Sequence, residues 1–261
     1  MMMDQSNLHY SNKTVRRIIF ILLLIPMCLK AQETQESTTR LFVGGGWANV
    51  MDTYLSPYAY KGGTVKMMIE RQYEHTMHRT SLHVSGLENP AGNVNEYDFG
   101  VAYGVAHHFQ LLQKGAFRVK AGPMGHFYLG CIYNERNGNN PAQAKLALML
   151  DASALATYDF RLFRKDFQLE YSLDIPFIGF AYSPQFGQSY YEEFSLGNYD
   201  HNCVFAHPFN TPSLRQRLVI DFKFNRGRCL YLGYDNELYQ TKYNELRHHS
   251  YSHSIILGIK L

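Results

Sequence analysis

The last fourteen residues, His248 to Leu261, read HHSYSHSIILGIKL and constrain the fold more than any other stretch. Counted back from the end, Leu261, Ile259, Leu257, Ile255, His253 and Tyr251 fall on one side of an extended strand. Lys260, Gly258, Ser254, Ser252 and Ser250 fall mainly on the other. That is a period of two, with no helical reading. Lipid offers the backbone no hydrogen-bond partner, so a sheet inside a membrane must close on itself, and an amphipathic C-terminal strand supplies the closure. The expectation is an all-β, closed antiparallel transmembrane β-barrel. Its last strand is also what a barrel-assembly machinery would grasp.

The start of the chain fits export. Residues 13–31, KTVRRIIFILLLIPMCLKA, place Lys13, Arg16 and Arg17 before a 12-residue apolar run, Ile18 to Leu29, and end on the small Ala31. The run is too short to span a bilayer, and the order of basic, apolar and small is that of a secretory signal peptide. Cys28 raises lipoprotein processing as a rival, but Ile25, Pro26 and Met27 are a poor approach to a lipidated cysteine. The expected organisation is a cleaved signal over 1–31, a short periplasmic segment over 32–40 and the barrel over 41–261.

Removing that signal takes four bases and one acid from the chain's 25 and 22, leaving 21 of each. The formal charge of +3 therefore belongs to the signal, and bulk charge gives no reason to expect nucleic-acid binding. Tyr and Phe number 20 and 17 and Gly 20, a composition suited to aromatic girdles and inward glycines. Cys131, Cys203 and Cys229 would remain, and an odd number without CxxC or Cys/His clustering argues against a disulfide framework or a zinc site. No metal or cofactor is expected.

Ten strands are predicted: Leu41–Val50, Val65–Tyr73, Arg79–Leu87, Glu96–Phe109, Phe117–Ile132, Lys145–Phe160, Phe167–Phe180, Leu214–Phe224, Leu230–Tyr239 and His249–Leu261. In the fourth, Tyr97, Phe99, Val101, Tyr103 and Val105 oppose Glu96, Asp98, Gly100, Ala102 and Gly104. A soluble sandwich would turn the apolar face inward, and alternation alone does not separate the two. Connection lengths help, because outer-membrane barrels have short periplasmic turns and longer outer loops. The connections near Glu74–His78, Gln110–Ala116, Leu162–Asp166 and Asn225–Cys229 are short. Those near Met51–Thr64, Glu88–Asn95, Tyr133–Ala144, Ala181–Ser213 and Gln240–His248 are mostly longer. Twelve strands result if Tyr190–Phe209 forms a hairpin within the sheet.

On this register ten acids, among them Glu70, Glu170 and Asp174, and eight bases, among them Lys66, Arg215 and Arg217, face inward. Such a balance favours charges paired across a narrow lumen over a pore lined by one sign. Catalytic candidates are few. His83 with Ser85 and His248 with Ser250 are His-x-Ser pairs, whose spacing puts base and hydroxyl on one face of a strand. Both face the lumen, whereas an enzyme cutting membrane lipid needs the pair outside. Glu96 with Asp98 and Asp235 with Glu237 are carboxylate pairs that could share a proton and position a water, if His201 reached the same rim.

The outer stretch Tyr182–Phe209 holds eight aromatics in 28 residues. Disordered loops are poor in aromatics, so this one is expected to fold as a plug or lid. In that case Tyr190, Tyr191 and Tyr199 offer flat faces. Glu192, Asn198, Asp200 and His201 offer polar contacts for an extracellular small molecule or saccharide. Asp200 and His201 point opposite ways if extended, against a metal pair.

The stretches DTYLSP (Asp52 to Pro57), NGNNPAQAK (Asn137 to Lys145) and SPQFGQSYYEEFSLGNYDHN (Ser183 to Asn202), with the closing YSHS (Tyr251 to Ser254), resemble the DUF3316 family of Gram-negative outer-membrane barrel proteins. The resemblance implies a fold and a compartment, and carries over no catalytic or binding residue. The expected protein is a monomeric barrel in outer-membrane lipid, plugged or narrow, with Tyr182–Phe209 as a cap or ligand surface. The alternatives are a hydrolase of lipid or peptide and a narrow solute channel.

Overall fold

The computed structural model describes residues 37–138, 140–224 and 229–261, so the expected signal peptide lies outside the described residues. The strands are β1 (Thr38–Asp52), β2 (Tyr60–Gln72), β3 (Thr76–Glu88), β4 (Asn95–His107), β5 (Phe109–Lys114), β6 (Phe117–Asn134), β7 (Ala142–Leu162), β8 (Lys165–Tyr182), β9 (Cys203–Ala206), β10 (Leu214–Lys223), β11 (Cys229–Tyr243) and β12 (Leu246–Lys260). One short helix, α1 (Tyr190–Phe194), lies between β8 and β9.

Every strand pairing is antiparallel, and β12 pairs with both β11 and β1 while β10 pairs with β8, so the sheet closes. Ten strands form the wall. β5 prolongs the line of β4 along β6, and β9 adds four residues to the outer end of β8. The twelve-strand alternative is corrected here, because the aromatic stretch forms α1 and β9 instead of a wall hairpin. β1 starts at Thr38, inside the segment expected to precede the barrel.

The distribution of polarity decides between barrel and sandwich. Val65, Met67, Leu82, Val84, Phe99, Val101, Leu148, Leu150, Leu257 and Ile259 are exposed, whereas Glu70, Lys66, Asp98, Asp174 and Arg217 are buried. A water-soluble fold buries apolar groups. This surface is suited to lipid, and the interior supplies its own partners to charge.

Among the described turns at the end carrying residue 38, Phe163 and Arg164, at φ 50° and 60°, form a two-residue hairpin. At the opposite end one expectation is corrected. The connection expected over Gln240–His248 is a two-residue turn at Asn244 and Glu245, both left-handed at φ 47° and 67°. Asn tolerates that conformation. Glu245 does not favour it and is held there by the ladder on either side. Asn244 also donates to the carbonyls of Ser183 and His201 at 3.0 and 2.9 Å, tying the hairpin to the aromatic loop.

Candidate functional site

The half of the lumen near the start of β1 is filled from opposite walls. Arg40 on β1 makes two contacts with Glu170 on β8, at 2.8 and 2.9 Å, and also donates to Glu70 on β2. Arg217 on β10 donates to Glu70 at 2.6 Å. Arg79 on β3 joins Glu70 at 3.0 Å to Asp174 at 2.6 Å, and Asp174 also accepts from Ser153. Arg40 and Arg217 lie over the Phe42 ring at 5.7 and 5.2 Å. Planar guanidiniums match several carboxylates at once and stack on aromatics, so this is an arginine layer for good reason. Arg40 lies outside the expected first strand, which starts at Leu41, three residues after β1 does; its signal is the shared parity with Phe42.

Above this layer Lys66 bridges Asp235 and Glu237 at 2.5 and 2.9 Å. Arg215 pairs with Asp151, and His83 contacts Asp98 at 3.2 Å. The His83 ring lies parallel to Tyr128, 6.3 Å away. Gly100 makes room for them, since a Cβ there would come within 2.3 Å of His83 and 2.7 Å of the Tyr128 hydroxyl. Lys66, His83, Tyr128, Arg215, Glu237 and Tyr239 line a cavity with about 100 Å³ open to the centres of water-sized molecules. That is room for several waters.

The catalytic candidates do not assemble. Ser85 donates to Thr64 at 3.0 Å while His83 faces Asp98. His248 contacts the Met51 carbonyl at 3.1 Å and approaches Asp52, and Ser250 lines the cavity without bonding to it. Glu96 accepts from Asn134, and Asp235 and Glu237 share Lys66. Glu96 and Asp98 are thus spent on separate partners, and Asp235 and Glu237 on one lysine. His201 sits exposed in the aromatic loop, where its left-handed φ of 56° turns the ring onto Asp200 at 2.8 Å. The expectation that the two point apart is corrected by that turn. Among the described residues no cluster of three or more His, Cys, Asp or Glu could hold a metal ion. Cys131, Cys203 and Cys229 are free thiols.

The outer end is closed by loops. Leu55, from the loop after β1, packs with Val50, Tyr60, Leu87 and Ile132. The Tyr54 hydroxyl donates to the Gln188 carbonyl at 2.8 Å. Burial, helped by the charges of Glu193, Asp52 and Glu192, pushes the Tyr54 phenol up to about 12, so it stays a donor. α1 begins with a capping box: the Ser189 hydroxyl accepts from the Glu192 amide at 3.3 Å, and the Glu192 carboxylate accepts from the Ser189 amide at 2.7 Å. Those bonds hold the Glu192 carboxyl below its usual range. Tyr190 is pinned, accepting from the Ala144 amide at 2.6 Å and donating to Gln143 at 3.2 Å. Buried Asn202 donates to Gln188 and Glu193 at 3.1 and 2.6 Å.

The loop is thus folded and hydrogen-bonded to its surroundings, and it exposes aromatic faces. Tyr191, Phe194 and Tyr199 are 66%, 66% and 58% exposed. Phe194 meets Tyr199 edge-on at 6.4 Å and stacks on Tyr190 at 5.9 Å. Asn198, Asp200 and His201 are exposed on the same loop. Tyr190, expected to offer a free face, instead buttresses Phe194, a residue the sequence reading left out of the site.

Three of the solved structures similar to this chain are the following. The crystal structure of Neisserial surface protein A has a TM-score of 0.37 and 8% identity, with 87% of this chain and 100% of that chain covered. The transport unit of the autotransporter AIDA-I from Escherichia coli has a TM-score of 0.43 and 9% identity, with coverage of 89% and 91%. Outer membrane protease OmpT from Escherichia coli has a TM-score of 0.41 and 8% identity, with coverage of 88% and 98%. No role is taken from them. A search of curated proteins returned no match. The sequence profile described as "Protein of unknown function (DUF3316)" matches residues 17–260, and the chain belongs to that family.

Proposed function

We propose that this chain is an outer-membrane β-barrel whose lumen is closed to free ion flow and whose outer cap is a binding surface for an extracellular saccharide or similar small molecule. The observation that carries the reading is the division of labour within the cap. Tyr54, Tyr190, Gln188 and Glu193 are used up in holding it, whereas Tyr191, Phe194 and Tyr199 stand exposed on that rigid base. Exposed aromatic faces beside Asn198, Asp200 and His201 suit sugar rings, which stack on aromatics and exchange hydrogen bonds with polar rims. Holding the platform by a capping box lowers the ordering cost of binding.

Closure is supported by the buried arginine layer, whose carboxylates come from facing walls and pair with Arg40 and Arg217 across the lumen. The signal peptide, the Gram-negative compartment and the monomeric state belong to the same reading. The test uses the folded barrel in detergent micelles on an array of bacterial and host glycans. Binding should occur and be lost in Tyr191→Ala/Tyr199→Ala, with heat-modifiable migration on gels retained. Binding that survives the double substitution, or no glycan bound at all, ends the cap assignment.

A further inference from the structure

The wall is interrupted in one place. β8 and β10 form a regular ladder from Phe167 opposite Phe222 to Asp174 opposite Arg215. On that side β8 is next paired at Gly179, by β9. Between them Ile175–Ile178 have no ladder partner on that side among the described residues. Pro176 sits in the break and Pro212 lies just before β10, and neither carries an N–H to donate. On the β7 side Leu150 pairs with Ile178 and Asp151 with Pro176, which leaves Phe177 as the extra residue of a bulge. Across the break, residues 207–211 form a turn that meets its own backbone needs: Asn210 accepts from the His207 amide at 2.8 Å, and the Asn210 and Thr211 amides donate to the His207 carbonyl.

This irregular backbone lies level with the apolar belt, since exposed Leu148 and Leu150 pair with Phe180 and Ile178. Regular ladders are the rule at that depth, because lipid cannot satisfy a free amide. The lumen cavity reaches this same place. Pro176, Ser213 and Arg215 line it, and so do Gln216 and Leu238. The last two share outward parity with exposed Leu218 and Tyr234 on their strands. The cavity therefore touches both faces of the wall.

We propose that the break between β8 and β10 is a lateral doorway from the membrane into the lumen cavity, and that its ligand is a single-chain lipid amphipath whose head donates hydrogen bonds. Phe177 and Phe209, 57% and 95% exposed, offer an apolar seat for the chain beside the doorway. Glu237, on Lys66, presents a partly exposed carboxylate to the cavity. A carboxylate that holds one lysine keeps lone pairs free for an amine or hydroxyl head.

The experiment places the full barrel in phospholipid vesicles with a long-chain alkylamine carrying a photoreactive diazirine next to the amine, then maps adducts by peptide mass spectrometry. Adducts are expected on lumen-side Met149 and Tyr239, reduced several-fold by Ala147→Trp, which fills the cavity, and reduced likewise when the probe's amine is replaced by a carboxylate. Adducts confined to lipid-facing Phe177, Phe209 or Leu148 would overturn the doorway. So would equal lumen labelling by a short water-soluble diazirine amine, which would place access at the cap. Mapping on the unsubstituted protein decides the matter even if Ala147→Trp does not fold.

Discussion

On the closed reading proposed above, the two ends of the lumen are sealed by different means. Near the start of β1 the seal is made of wall side chains: Arg40, Glu70, Arg79, Glu170, Asp174 and Arg217 reach inward from five strands and meet. At the outer end it is made of backbone brought in from outside, with Leu55, Tyr54 and α1 laid over the mouth. The first seal cannot move without breaking buried ion pairs. The second is held by hydrogen bonds, among them those to the Glu192 and Glu193 carboxylates, and by one short helix, and on the proposed function it is the part that would respond to a ligand. The cavity lies between them.

The largest effect that would break this contrast is on the arginine layer. Glu70→Ala leaves Arg40, Arg79 and Arg217 short of a shared partner, and loss of one member of a buried charge network costs about 3–5 kcal/mol. Urea unfolding followed by gel migration should show that drop for the whole barrel. Tyr190→Ala should act differently, orphaning the Ala144 amide at a cost of about 1–3 kcal/mol confined to the cap. Limited proteolysis should then cut within 182–209 while the urea midpoint of the barrel holds. Ser189→Ala, which removes the capping box, should produce the same pattern at about 1 kcal/mol.

The smallest effect is a pH dependence. The Glu192 carboxyl is depressed in the folded cap by the Ser189 amide and hydroxyl. Its contribution is therefore complete above the unfolded value of about 4.3 and is lost as pH falls through the lower folded value. Protease sensitivity of the cap should rise only below that point, and Glu192→Gln should flatten the rise.

The same contrast explains what was legible in the sequence. Strand positions followed from alternation, because a wall with lipid on one side and charge on the other imposes a period of two on residues such as Phe99 and Asp98. The inward charges were legible for the same reason, although their partners were not: Arg40 and Glu170 are 130 positions apart, and only closure of the sheet brings them together. The cap was foreseen as folded from its aromatic content. Its construction was hidden, because Tyr190 and Tyr191 are adjacent and alike in sequence, and only the position of the Ala144 amide makes one a strut and the other a surface. The β8 to β10 break was equally hidden, since Pro176 and Pro212 are unremarkable until the register sets them on either side of it.

Single-channel recording in planar bilayers tests closure most directly, with the full barrel compared against a variant lacking the cap over 184–201 and against that deletion combined with Arg40, Glu70, Glu170 and Arg217 all changed to Ser. Both the unsubstituted protein and the cap-deleted variant should stay silent, because the arginine layer seals alone, and the four-fold variant without its cap should conduct steadily. A large, steady conductance from the unsubstituted protein, or from the cap deletion by itself, would contradict the account.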